Sequence, residues 1–481
     1  MEKIFKILAF IGLAVLAYLT LFDYLGAKPL NLWDEARLAN NAFEMLQHGN
    51  WFVKYFNYEP DMWSTKPPLM PWAQALSMKL FGFNVLAVRL PAAVAGLCLI
   101  IFLLIYSHRV LGSVWIGYFA SVILLSTSAF AGFHVARSGD HDSFLVLFST
   151  VMVLSFYAYL KSGRYKFLYY TCIALTLGIL TKGIAIFFFT PAMFAWLLYS
   201  GKFKVTVSSK HFYYAISIVV FFGLGFYFLR ESLNPGYMQA VYENELGGRY
   251  GEVLEGHRAG PWFYVQNFIY ERYTYWLPLL IIALVALIGW GKKLTNNSSL
   301  PAYLFTLSVW LIFIISTAST KIFWYDAPIY PLLALIIGRF IYAVGVKTLK
   351  QITLLKFGIA AFLLIGLIWF PVNAQVESNR KVDHYTNKEV SYGNYRKHIA
   401  DENSYSAVYI KYNSHIDFFV KVDNLLHPEK ELKSKKVMDI RVGEKVVVCE
   451  PYAFQAIEDK YNFKLLDEFK SCRLLEIISL K

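Results

Sequence analysis

The sequence predicts an all-helical protein that crosses a membrane many times and ends in a small α+β domain. Three observations predict it. Hydrophobic residues make up 57% of the 481, they fall in long uncharged runs, and the last hundred or so residues change abruptly to a charged composition. An ordinary globular chain carries about 45–50% apolar residues. Runs of about 20 are what a helix needs to cross the hydrocarbon core.

Such runs recur at 5–25, 86–107, 112–132, 142–160, 165–181, 183–200, 212–230, 273–291, 301–317, 324–345 and 354–372. We read them as eleven spans. Only Lys182 and Gly183 separate the fifth from the sixth. The first run is too long, and lacks the small-residue cleavage site, for a cleaved signal peptide; it reads as a signal anchor.

Charge gives the spans a direction. The net charge is +13, yet residues 373–481 hold 18 Lys/Arg against 17 Asp/Glu, so the excess lies in the membrane part. It concentrates in alternate short loops: Lys3 and Lys6; Arg109; Lys161, Arg164 and Lys166; Lys202, Lys204 and Lys210; Lys292 and Lys293; Lys347, Lys350 and Lys356. Short loops rich in Lys and Arg stay in the cytoplasm. With eleven spans and a cytoplasmic N-terminus, all of them land there, and no nucleic-acid partner is called for. The chain then divides into a membrane domain, 1–372, and a domain on the side opposite the cytoplasm, 373–481. The other face carries two long loops, 26–85 and 231–272.

In the tail, Tyr405–Ile410, Lys445–Cys449 and Leu474–Ile478 have β-rich composition, with helices between them. Cys98 and Cys172 sit in spans as small apolar residues. Cys449 and Cys472 are in the tail, where an oxidising compartment permits a bridge that spacing alone does not decide.

The candidate chemistry lies opposite the basic loops. Asp34 and Glu35 follow the first span, and Arg37 shares a helical face with Asp34. Residues 35–47 show an apolar stripe of Ala36, Ala39, Phe43 and Leu46, the pattern of a helix lying on the membrane interface. Asp34 reads equally as a helix cap. Lys66 precedes Pro67 and Pro68, which suit the first turn of a second interfacial helix over 68–81. It can contact a phosphate or snorkel to lipid headgroups. Arg137, Asp140 and Asp142 lie at the start of the fourth span, where charges are costly unless paired or solvated. His134, His141 and the two aspartates offer ligand atoms without a metal-binding spacing; we assign no cofactor and no metal. Lys182 and Lys321 lie where spans emerge. His257 precedes an aromatic run and reads as base, ligand or plain surface histidine. No phosphate-binding GxxxxGK[ST] loop is present.

Taken in order, DEAR (Asp34 to Arg37), KPPL from Lys66, RLP from Arg89, RSGDHD from Arg137, LTKG from Leu180 and the group Lys321, Tyr325 and Pro331 resemble bacterial members of the dolichyl-phosphate-mannose protein mannosyltransferase family. The lipid A aminoarabinose transferase belongs to the same group, and the likeness covers about residues 1–345. It implies a GT-C membrane fold and an inverting transfer of one sugar from a polyprenyl-phosphate donor to a lipid or protein acceptor. By the same resemblance Asp34 is the base, with Asp142, and Asp140 close behind, as a second acidic site. Arg37 and Lys66 hold the carrier phosphate, and His257 matches the histidine before the aromatic run. Glu35, Arg137, Lys182, Lys321 and Tyr325 complete the expected substrate-binding set. Where the aminoarabinose transferase has a metal-holding glutamate before the KPP lysine, this chain has Thr65. The alternative is a secondary transporter or lipid flippase, which would place its charges near mid-membrane in paired halves; no such repeat is visible.

Overall fold

The computed structural model describes residues 2–248, 251, 253, 256–289, 299–348, 354–380 and 391–481. It contains two compact units. One is formed by Met1–Asp23, Met62–Met70 and Ala92–Asn379, the other by Tyr24–Asp61, Pro71–Pro91 and Arg380–Lys481.

Helices build the first unit. Among the described residues, six are long and apolar enough to cross a membrane, or seven if the pair Phe263–Arg272 and Leu277–Leu287, bent by 110°, counts as one span. The first and third runs form apolar helices of only 10–17 residues, Lys6–Phe22 and Val114–Leu125, and the eighth is the bent pair. The fifth and sixth runs form a single helical stretch, Tyr165–Tyr199. We read a reversal within it. In a straight helix residues eight apart lie about 12 Å from each other, yet a Cβ on Gly178 would sit 2.5 Å from Ile186 Cγ1. The break comes where Gly183 takes φ +55° and a 3₁₀ stretch, Gly183–Phe189, replaces the α-helix. The basic positions Lys292, Lys293 and Lys350 lie outside the described residues.

Small residues let these helices pack closely, as membrane helices require in the absence of a hydrophobic drive between them. Gly338 is such a point: a Cβ there would meet the Ile116 carbonyl at 2.6 Å. The helix Leu354–Arg380 runs through the expected domain boundary at 372, and the units divide between Asn379 and Arg380.

The second unit is α+β. Strands β1 (Tyr55–Phe56) and β2 (Glu59–Pro60) form a hairpin. The main sheet has β3 (Ser404–Tyr409), β4 (Glu431–Lys436), β5 (Lys445–Val448), β6 (Tyr461–Phe469) and β7 (Cys472–Leu480) in the order β4-β3-β5-β7-β6. Both neighbours of β3 are parallel to it, and β7 is antiparallel to both of its own. A strand sends alternate residues to opposite faces. Val446 and Val448 accordingly join Val408 and Leu475 in one core with Ala453 and Ile457, while Val447 joins Ala407 and Leu474 in another. The antiparallel register pairs Val448 with Arg473 and so brings Cys449 against Cys472, which are bridged.

The second core also takes in the first long loop. Ala36, Ala39 and Phe43 of helix Asp34–His48, and Ala75 and Met78 of helix Leu69–Phe81, are buried with Tyr405, Ile416 and Phe418. The apolar stripe expected to lie on the membrane is therefore covered by protein. Periodicity correctly marks the face to be buried but does not say what buries it.

Candidate functional site

Within the first unit a cavity of about 340 Å³ is lined by Lys66, Asp142, Lys182, Glu245 and Tyr325 among its polar groups. Leu145, Ile184, Phe188, Phe189, Leu311, Ile314 and Ile315 form its apolar walls. A chamber lined by both charged groups and apolar side chains suits an amphiphile with an ionic head.

Each polar group is fixed by its element. Asp142 opens helix Asp142–Ser162, where a carboxylate complements the positive end of the helix dipole. Lys182 ends helix Tyr165–Lys182, and its Nζ donates to both Asp142 oxygens, at 2.7 and 2.8 Å. Its ammonium also lies 5.2 Å from the Tyr325 ring centroid. Lys66 Nζ is 3.4 Å from Glu245 Oε1, which also accepts from the Thr65 hydroxyl at 3.2 Å. The Thr65 carbonyl takes the Tyr237 hydroxyl at 2.6 Å. Tyr237 and Glu245 thus tie the extended segment around Lys66 to the second long loop.

A neighbouring cluster holds the start of the fourth span. His134 has φ 66°, its ring stacks on Trp324 with centroids 3.4 Å apart, and its Nδ1 is 2.7 Å from Asp140 Oδ2. Burial opposes ionising Asp140. The hydrogen bond and charge of His134, with Lys182 and His141 behind them, outweigh it and hold the carboxyl well below the usual carboxylate range. Arg137 donates to the carbonyls of Thr20 at 3.0 Å and Asp23 at 2.7 Å, satisfying the end of the first helix. Lys321 Nζ donates to the Ala318 carbonyl at 2.6 Å, and His257, exposed, accepts the Lys321 N–H on its carbonyl at 3.0 Å. Neither Arg137, His257 nor Lys321 is among the cavity's lining residues.

In the second unit, Asp34 is exposed and begins its helix, while Trp33 holds the cap position with no side-chain bond. Glu35, 1% exposed, receives Arg89 Nε at 2.7 Å and Nη2 at 2.8 Å, and the backbone and side-chain nitrogens of Asn31. Arg89 also donates to the carbonyls of Leu25, Lys28 and Pro29. The pair locks the entry to the helix. Arg37 makes a two-pronged pair with Asp61, Nε at 3.0 Å and Nη2 at 2.7 Å, with its guanidinium 4.2 Å from the Phe56 ring centroid.

Of the expected residues, Lys66, Asp142, Lys182 and Tyr325 meet in one cavity. Sequence reasoning missed Glu245, Asp61 and the buried Asp326, which receives Tyr330 at 2.7 Å and Asn267 at 3.2 Å with Arg272 at 3.5 Å. The one signal for Asp326 was an acid inside an otherwise apolar span.

The family model for dolichyl-phosphate-mannose-protein mannosyltransferase matches residues 65–225. A protein of Aquifex aeolicus is 25% identical over 377 residues, 75% of this chain and 72% of its own. The undecaprenyl phosphate-alpha-4-amino-4-deoxy-L-arabinose arabinosyl transferase of Edwardsiella ictaluri is 25% identical over 380 residues, covering 76% of this chain. That of Yersinia pestis is 27% identical over 387 residues, again 76% of this chain. The matches span 66% of the length of these two transferases. Among solved structures, ArnT from Cupriavidus metallidurans bound to undecaprenyl phosphate shares the fold at a TM-score of 0.74 and 13% identity, over 99% of this chain and 98% of that one.

Proposed function

We propose, for a chain that belongs to the mannosyltransferase-like, aminoarabinose transferase-like group of GT-C membrane glycosyltransferases, that it moves one sugar from a polyprenyl-phosphate donor to a glycolipid, lipid A, polysaccharide or protein acceptor. The observation that carries this reading is one cavity lined both by Lys66 and Lys182, each beside a carboxylate, and by Ile, Leu and Phe side chains. A phosphate fits the one and an isoprenoid tail the other. The name of the curated relatives and the carrier bound to the structural neighbour support the same donor class.

The chemistry asks for three things. The acceptor hydroxyl or amine must lose a proton as it attacks the anomeric carbon. We assign that proton to Asp34, an exposed carboxylate in a first helical turn. The bond from the sugar to the phosphate oxygen breaks, and the carrier monoester gains negative charge. We assign Lys66, released from Glu245, and Arg37, oriented by Asp61, to that charge. Asp142 keeps Lys182 in place at the chamber. Attack opposite the leaving phosphate inverts the anomeric centre.

We place the reaction on the periplasmic face of the inner membrane, opposite the basic loops, with the N-terminus in the cytoplasm. The tail bridge supports this, because disulfides persist in oxidising compartments. The test is sugar transfer from a synthetic polyprenyl-phosphate sugar to envelope glycolipid by purified protein. Asp34→Asn should lower kcat by ~10²–10⁴, the worth of a positioned base, with donor binding unchanged. Full activity in that variant removes Asp34 as the base.

A further inference from the structure

A second cavity, of about 490 Å³, opens within the unit that carries the sheet. Its rim includes Tyr58, at the turn between β1 and β2. That turn has two residues, Asn57 at φ 54° and Tyr58 at φ 63°. Two-residue hairpins with both φ values positive favour Asn-Gly. Asn57 conforms, but an aromatic residue in the left-handed region is an outlier. Such strain persists only where the surroundings enforce it, and it gathers at ligand-binding positions. Glu44 enforces it here, accepting the Asn57 N–H at 3.0 Å and the Tyr58 N–H at 2.7 Å. What the strain secures is the Tyr58 ring, 52% exposed at the cavity's edge.

The remaining lining says what such a ring would meet. Lys421 gives its three N–H bonds to Asn40, Glu44 and Asn57, at 3.0, 2.6 and 3.0 Å. Its donors are spent and Glu44 balances its charge. Asp417, 3% exposed, brings a carboxylate to the cavity beside Ser434. A fully apolar ligand would offer no donor to that carboxylate or partner to the Ser434 hydroxyl. Asp417 and Lys433, both on the lining, leave the cavity no net positive charge to hold an anion. A neutral polyhydroxyl ligand satisfies both demands: its C–H face covers an aromatic ring while its hydroxyls donate to a carboxylate.

We propose that this cavity is a saccharide subsite that takes the glycan part of the acceptor, with Tyr58 as platform and Asp417 as hydroxyl acceptor. The acceptor role rests on the transfer reading above; the binding does not. The test uses the full-length chain in nanodiscs, probed with an array of neutral and anionic bacterial envelope oligosaccharides. Tyr58→Gly suits the turn, so it keeps the hairpin while deleting the ring; Tyr58→Phe keeps the ring. Wild type and Tyr58→Phe should bind a neutral oligosaccharide, and Tyr58→Gly should bind it at least tenfold more weakly with an equal or higher Tm. The proposal is overturned if wild type binds none of the array. Equal affinity in Tyr58→Gly overturns it too, as does binding that inorganic phosphate abolishes. Sugar transfer measured in parallel separates the two readings. Transfer without glycan binding sinks the subsite alone, and glycan binding without transfer sinks the enzyme reading alone.

Discussion

Single residues in this protein divide by how their charge is compensated. Lys182 and Asp142 form a pair whose side chains are 10% and 1% exposed. Breaking a buried pair from one side leaves an uncompensated charge and costs ~3–5 kcal/mol, whereas replacing both partners by apolar groups is often neutral. Lys182→Met should therefore unfold at markedly lower temperature, and the double variant with Asp142→Leu should recover most of the loss while remaining inactive in transfer. A double variant no more stable than either single one would show that the pair does more than neutralise itself. Asp34 is the contrast. Being exposed, its change to Asn should move stability by no more than about 0.5 kcal/mol, so any lost activity reports on chemistry. Candidate charges were legible as residue types but not as pairs. Arg37 and Asp61 are 24 positions apart, and Thr65 and Glu245 are 180 apart. Nothing local in a sequence ties residues at such distances, so Glu35, singled out as a ligand contact, gave no sign that Arg89 would hold it.

Elements were more legible than their surroundings. The helix predicted over 35–47 forms as Asp34–His48, and the one predicted over 68–81 as Leu69–Phe81, because caps, prolines and a 3.6-residue period are local signals. Their burial against the sheet helix Ser414–Leu426 was not legible. Phe43, 2% exposed, should on that account behave as a core residue. Phe43→Ala should lower stability by ~3–5 kcal/mol, read as earlier thermal unfolding; a membrane-facing Phe would lose far less. His415 makes the same junction sensitive to pH. Its Nδ1 is 2.9 Å from the Leu30 carbonyl, and its Nε2 accepts the Gly393 N–H at 3.0 Å, so the ring is the neutral tautomer. Burial, aided by the charges of Arg396 and Arg89 and opposed by the Leu30 carbonyl and Glu35, lowers its pKa from 6.5 to about 3. The unfolded chain thus binds a proton between pH 6.5 and about 3 that the folded chain does not, and stability falls as pH drops through that window. The loss should reach about 2 kcal/mol at pH 5. His415→Gln should flatten the pH dependence of Tm between pH 7 and 5; an unchanged slope would assign it to other groups.

For the whole molecule, composition and charge pattern gave a multi-spanning helical fold with a terminal α+β domain. How each span is built was the less legible part. A run of 18–21 apolar residues does not distinguish one straight helix from two short ones or a bent pair, because hydropathy carries no direction, and Tyr165–Tyr199 and Phe263–Leu287 are where that ambiguity fell. The charge asymmetry depends on the alternation of basic loops: the reversal at Gly183 keeps Lys161, Arg164 and Lys166 two crossings away from Lys202, Lys204 and Lys210, on the same side. It makes a prediction about sides that cysteine labelling can read. In a chain with Cys98 and Cys172 changed to Ser, Ser200→Cys lies next to Lys202 and Lys204 and is exposed. Met438→Cys lies in the tail domain, where Met438 is 71% exposed. A maleimide that cannot cross the membrane should label position 438 in spheroplasts and leave position 200 unlabelled until the membrane is broken. The reverse pattern would put the bridged domain in the cytoplasm, where a disulfide between Cys449 and Cys472 would not be kept. The same preparation then tests the bridge. Reducing it, or replacing both cysteines by Ser, should cost ~2–4 kcal/mol, seen as earlier unfolding of the domain, and an unaffected Tm would show that the antiparallel pairing of β5 with β7 suffices without it.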